Sequence, residues 1–134
     1  AAERAALADL AARVELVWIE GNHDPGAWPA GIGRPADELV LGPLVFRHEA
    51  RPGPAAGEVS GHYHPRAAVR HAAGRVGGRC FVTDGRRLIL PAFGAFTGGL
   101  DVRDAAYRPL FPEGFEVVIL GERRAVRFPG HALA

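Results

Sequence analysis

The hydrophobic and polar positions along the chain predict one helix followed by a series of short strands. In residues 2–13, alanine and leucine recur at helical spacing between charged residues, which predicts an amphipathic helix. Residues 14–19 form a nearly continuous apolar run, typical of a strand in a sheet covered on both faces. A helix that leads directly into such a strand is half of an alternating unit, so the sequence predicts an α/β fold.

Three later pairs of short apolar runs are separated by turn residues and are predicted to form β-hairpins. These pairs are residues 38–41 with 44–48, 79–83 with 87–90, and 115–120 with 125–128. Residues 58–60 are predicted to be one more strand. Residues 20–36 and 94–101 are rich in glycine and are predicted to be loops, and residues 65–78 to be irregular and basic.

Composition limits the class of protein. A length of 134 residues fits one domain, and 48% hydrophobic with 23% charged residues is typical of a globular protein. The net charge of +1 permits a nucleic-acid partner without requiring one. Cys80 lies in an apolar context and is predicted to be buried. Because no signal peptide or membrane-length apolar run is present, a cytoplasmic protein with no membrane partner is expected.

Histidine and asparagine side chains follow the ends of three predicted strands. Asn22, His23 and Asp24 follow the first strand, His48 follows another, and His62 and His64 flank Tyr63 in a Gly-His-Tyr-His-Pro turn. Imidazole and amide oxygen ligands suit Mn²⁺, Zn²⁺ or Fe²⁺. In an extended segment, residues i and i+2 point to one side, so His62 and His64 are expected to face one site or two adjacent ions. Each motif alone is also typical of an ordinary turn, but the three together favour a metal site.

Three segments carry a resemblance to a known family. Gly21-Asn22-His23-Asp24, His48 and Gly61-His62-Tyr63-His64 resemble the last three motifs of the calcineurin-like metallophosphoesterases. The run from Cys80 to Val102 is similar to that of the bacterial ligase-associated DNA damage response endonucleases. The resemblance implies a two-sheet α/β sandwich with a two-metal centre. The family's first motifs, Asp-x-His and Gly-Asp-x-x-Asp, have no counterpart here. Residues 1–134 are therefore expected to be the β-rich C-terminal portion of such a domain, lacking its first strands.

The resemblance also implies roles for individual residues. Asn22, His48 and His62 would ligate one metal ion and His64 the other. His23 would be the catalytic residue that contacts the scissile phosphate and protonates the leaving oxygen, and Asp24 would orient a ring. The implied cofactors are two divalent ions, with Mn²⁺ favoured and Zn²⁺ or Fe²⁺ as alternatives. The implied function is phosphodiester hydrolysis, of DNA above all, by a two-metal-activated hydroxide, with little or no activity from this chain alone.

A run of arginines follows the last of these motifs. Arg66, Arg70 and Arg79 are candidate nucleic-acid contacts, and an ordinary solvated face explains them equally well. Further arginines of the same run are Arg75, Arg86 and Arg87. The resemblance also implies DNA repair proteins, such as a ligase, as partners.

Two other classes of protein remain open. One is a non-catalytic, truncated phosphoesterase scaffold that binds nucleic acid or a protein partner. The other is a cupin-like mononuclear metal protein, which also uses His-x-His. The glutamate expected a few residues later in a cupin is absent, because alanines occupy positions 67 and 68.

Overall fold

Strands are the main regular secondary structure of the chain in a computed structural model, which describes residues 2–22, 26, 28–71, 74–94 and 97–133. Within those ranges the helix α1 (Ala2–Ala11) comes first. The strands are β1 (Val17–Ile19), β2 (Arg34–Ala36), β3 (Glu38–Leu41), β4 (Leu44–Arg47), β5 (Glu58–Ser60), β6 (Pro65–His71), β7 (Gly74–Thr83), β8 (Arg87–Ile89), β9 (Leu100–Asp101), β10 (Glu116–Leu120) and β11 (Ala125–Pro129). Short 3₁₀ helices span Ala105–Tyr107 and Gly130–Ala132. The fold is thus α/β and mostly β, as predicted.

One large sheet contains most of these strands. Its order is β11-β10-β7-β8-β5-β4-β3, with β6 paired to β7 and β9, while β1 and β2 form a separate parallel pair. Strands β4, β5 and β8 are parallel neighbours. This parallel pairing does not match the antiparallel jelly roll of a cupin. The register pairs Arg47 with Ser60, so β4 and β5 end at the same edge of the sheet.

The three predicted hairpins are confirmed as β3–β4, β7–β8 and β10–β11. The prediction that residues 65–78 are irregular is wrong, because β6 and β7 pair there over six consecutive positions. Alanine, glycine and arginine have little intrinsic strand preference, and burial of Ala67 and Val69 in the core compensates. The loop predicted for residues 20–36 also contains β2. The described residues do not cover β1 on both faces, since its side chains are half-buried and those of α1 are not buried.

The core lies against the central strands β7, β8 and β10. Its fully buried members include Val82, Ile89 and Val117, and Cys80 is 0% exposed, which confirms the prediction for the thiol. Burial raises the pKa of this thiol to about 12. In the part of the chain that the structure describes, no helix combines the length and apolar character needed to cross a membrane.

A buried ion pair ties β5 to β8 beside the core. Nε of Arg87 donates to Oε1 of Glu58, and these two side chains are 1% and 6% exposed. The remaining Arg87 nitrogens donate to backbone oxygens of Leu110, at 2.6 Å, and of Arg51 and Gly53, at 2.6 and 3.2 Å. The guanidinium therefore joins two strands to two loops. Glu58 Oε2 also accepts a hydrogen bond from Nη1 of Arg47 at 3.0 Å. Arg47 is the residue immediately before His48 in the chain.

Candidate metal centre

Three polar side chains from separate segments meet at one edge of the fold. Asn22 follows β1, His48 directly follows β4, and His62 lies two residues beyond the end of β5. His48 Nε2 is 3.0 Å from Asn22 Oδ1 and 3.1 Å from His62 Nδ1. The two imidazole rings are 5.0 Å apart between centroids and inclined at 76°. The structure thus brings together the three residues that the family resemblance implies as ligands of a single ion.

The donor atoms of this cluster fit a divalent cation. Two ligand atoms at about 2.1 Å from one ion, and at a right angle to each other, lie about 3.0 Å apart. The distances of 3.0 and 3.1 Å from His48 Nε2 match this spacing. Two imidazole nitrogens and an amide oxygen suit a borderline ion such as Mn²⁺ or Zn²⁺. Within the described ranges no group of three or more His, Cys, Asp and Glu side chains is arranged to hold an ion.

The backbone around His62 and His64 is left-handed rather than extended. Their φ angles are +65° and +48°, values that non-glycine residues adopt at an energetic cost. The expectation that an extended segment sends both side chains to one side is therefore wrong for this turn. His62 joins His48 and Asn22, whereas the His64 side chain makes no hydrogen bond or ion pair with the described residues.

Tyr63 packs against His62 and Tyr107. Its ring meets that of His62 edge-on at 5.1 Å and lies 5.5 Å from Tyr107. Its hydroxyl donates to the carbonyl of Ala50 at 3.4 Å. Burial, followed by the nearby charge of Glu49, raises the pKa of the Tyr63 hydroxyl. The ring thus anchors the turn to the core.

Two residues that shape the site were missed by sequence reasoning. Glu49 Oε1 lies 3.7 Å from Nε2 of His62, the ring nitrogen opposite the cluster, within ion-pair range but beyond hydrogen-bond distance. The position of this acidic residue directly after His48 was an available signal. Gly21 leaves room for the His48 ring, because a Cβ at this position would be 3.0 Å from His48 Cε1. A cavity of about 480 Å³, lined by Gly21, His48 and both tryptophans, opens beside them.

His23 and Asp24, the predicted catalytic and orienting residues, lie outside the described residues. Their predicted roles remain predictions.

The arginines of the predicted basic run have different environments. Arg66 and Arg70 are exposed, as a nucleic-acid contact requires. Arg79 is half-buried, and its guanidinium donates to the carbonyls of Ala92 and Gly94 at 3.0 and 2.6 Å. Arg87 is 1% exposed and bonded to Glu58, so its inclusion in a solvent-facing phosphate track is wrong.

Comparison with solved structures finds a nuclease similar to this chain. The crystal structure of Pseudomonas putida nuclease MPE shares 30% sequence identity with it at a TM-score of 0.65. The similarity covers 95% of this chain and 62% of the nuclease chain, so this chain spans less than two thirds of that protein's length. No protein-family model matches the chain, and comparison with curated proteins finds no significant match.

Proposed function

We propose that this chain is the C-terminal portion of a metal-dependent phosphodiesterase that acts on DNA. The observation that carries the proposal is that Asn22 Oδ1 and His62 Nδ1 both lie within 3.1 Å of His48 Nε2. The similarity to a bacterial nuclease supports a nucleic-acid substrate. The resemblance of the same motifs to the metallophosphoesterases supports the finer assignment, including a second ion and ligands supplied by sequence outside this chain.

In this proposal, Asn22, His48 and His62 hold one divalent ion and His64 contributes to a second, with Mn²⁺ favoured. When bound, the ions supply Lewis acidity toward the phosphate and toward the attacking water. Glu49 lies beside the far nitrogen of the His62 ring, a position from which a carboxylate can orient a metal-binding imidazole, and Gly21 allows the His48 ring to approach. His23 contacts the scissile phosphate and donates a proton to the leaving oxygen, with Asp24 orienting a neighbouring ring.

Calorimetric titration with Mn²⁺ tests the metal site directly. The His48→Ala variant is expected to bind Mn²⁺ at least about 10-fold more weakly, because the central donor of the cluster is removed. His131→Ala is the matched control, since His131 is exposed in the final 3₁₀ helix. Equal Mn²⁺ affinity of the two variants would overturn the assignment of His48.

Activity is tested on the full-length protein that carries this chain, with bis(4-nitrophenyl) phosphate and with DNA. We expect Mn²⁺ to stimulate cleavage of both, and His23→Ala to lower turnover more than it lowers Mn²⁺ affinity. A protein that binds Mn²⁺ but cleaves neither substrate would instead support the non-catalytic scaffold.

A further inference from the structure

The β6–β7 hairpin presents a row of arginines on one of its faces. Directly paired residues of an antiparallel ladder share a face, and so do residues two apart along a strand. The register pairs Arg66 with Arg79, Ala68 with Gly77, and Arg70 with Arg75, so these six positions lie on the same face. The opposite face carries Ala67 and Val69 into the core.

Small residues between these arginines leave a groove. A cavity of about 520 Å³ is lined by Arg66, Ala68, Arg75 and Gly77 of this face, together with Ala67, Gly78, Gly99 and Asp101. Arg70 lies on the same face without lining the cavity. A Cβ added at Gly77 would lie 3.0 Å from the Ala68 Cβ, so the floor of the groove is closely packed. We refer to Arg66, Ala68, Arg70, Arg75 and Gly77 as the arginine groove.

The charge of the arginine groove is strongly positive. The side chains of Arg66, Arg70 and Arg75 make no hydrogen bond or ion pair with the described residues, and all three residues are exposed. The acidic residue at the groove, Asp101, is held by Arg103, whose Nε and Nη2 each donate to it at 2.9 Å. These bonds lower the pKa of Asp101 and offset its charge. Arg75 also acts on the charge of Asp101 at longer range. The arginine groove therefore carries three exposed cations beside one acidic side chain that Arg103 already pairs.

One end of the arginine groove adjoins the candidate metal centre. The backbone oxygen of His64 accepts from Leu100 N at 3.2 Å, one residue before β6 begins. A Cβ at Gly99 would meet both the Arg66 side chain and this same oxygen. From Arg66 to Arg70 the strand runs about 13 Å away from this point, at about 3.3 Å per residue.

We propose that the arginine groove binds the phosphate backbone of a nucleic-acid strand on one side of the scissile phosphate. Exposed guanidinium groups donate to phosphate oxygens, and a floor of alanine and glycine allows the strand to approach the sheet closely. Contacts of this kind hold the strand in position without reading its sequence. The inference rests on the proposed function for its substrate and adds the path that the substrate follows.

Anisotropy of fluorescein-labelled DNA, single-stranded and duplex, measured over a range of salt concentrations tests the groove. The variant combines Arg66→Ala, Arg70→Ala and Arg75→Ala. The control combines Arg13→Ala, Arg123→Ala and Arg124→Ala, which removes the same charge from other exposed positions. We expect the groove variant alone to reduce the slope of log K against log salt by about 2 to 3, because each phosphate that is no longer neutralised lowers the slope by roughly one.

Equal effects of the two triple variants on the salt dependence of DNA binding, or no effect of either, would overturn the proposal that the arginine groove binds DNA. The single variant Arg70→Glu, at an exposed position, should also weaken DNA binding. It keeps the test valid if the triple variant fails to fold. Hydrolysis of bis(4-nitrophenyl) phosphate by the unaltered full-length protein tests the proposed function separately. Absence of hydrolysis with groove-dependent DNA binding would refute the catalytic proposal and support the groove.

Discussion

Replacing Arg87 by methionine should destabilise the fold severely, because it removes one of the two cations that pair with the buried carboxylate of Glu58 and leaves backbone carbonyls without a donor. The Arg87 and Glu58 side chains are 1% and 6% exposed, so water cannot replace the lost partner. Oε1 of Glu58 loses its donor, whereas Oε2 keeps Arg47 Nη1 at 3.0 Å. The carbonyls of Leu110, Arg51 and Gly53 lose donors as well.

The expected loss in the free energy of unfolding is about 3 to 5 kcal/mol, the cost of breaking a buried ion pair by removing one partner. A domain of this size commonly has about 5 to 15 kcal/mol in total, so this loss is a large part of its stability. Methionine retains much of the apolar volume that packs near Phe111, whose ring lies 5.8 Å from Arg87 Cζ. The loss is therefore ascribed to charge and hydrogen bonds rather than to a cavity.

Urea denaturation followed by circular dichroism measures this free energy by linear extrapolation. Arg34→Met is the matched control, because Arg34 and its partner Glu15 are 51% and 70% exposed and such a pair contributes only about 0 to 1 kcal/mol. The double variant Glu58→Gln, Arg87→Met should lose less than the sum of its single variants, since the two residues interact directly. If Arg87→Met costs no more than Arg34→Met, the reasoning about the buried pair is refuted.

Two further predictions concern the site and the core. Gly21→Ala should displace the His48 ring and weaken Mn²⁺ binding in a calorimetric titration. Gly61→Ala should leave Mn²⁺ binding intact, because a Cβ at position 61 meets only the His48 carbonyl at 3.8 Å. Equal losses of Mn²⁺ affinity in the two variants would contradict the close approach of Gly21 to the ring. Cys80, 0% exposed with a pKa raised by burial to about 12, should react with Ellman's reagent only upon unfolding, and rapid stoichiometric labelling of the native protein would contradict this burial.

Local turn chemistry explains why the hairpins could be predicted from the sequence. Asp84-Gly85 between two apolar runs specifies a tight connection, and Gly85 does adopt a positive φ of +84°. The β6–β7 hairpin has no such signal, because residues 66–79 are mostly alanine, glycine and arginine. Strand β6 also pairs with β9, about 35 residues later in the chain, through Arg66 and Asp101. Contacts between residues so far apart in the chain cannot be predicted from the periodicity of hydrophobic residues.

The candidate site divides in the same way between local and long-range information. Side-chain chemistry at strand ends selected a larger set that also included His23 and His64, and the family resemblance grouped Asn22, His48 and His62. The parallel strands β4 and β5 end together and bring His48 and His62 to one edge. The supporting position of Glu49 and the space that Gly21 provides depend on distances in three dimensions. The left-handed turn at His62 also escaped prediction, because histidine has no local preference strong enough to signal it.

That turn has a consequence for protein engineering. A screen of variants for heat resistance alone would favour glycine at positions 62 and 64, because glycine adopts a positive φ without strain. His64→Gly is accordingly expected to raise the melting temperature, as measured by differential scanning calorimetry, and an unchanged or lower value would contradict this. Such a screen would thereby remove candidate ligands while improving the scaffold. Thermostability and metal binding therefore place opposite demands on these two positions.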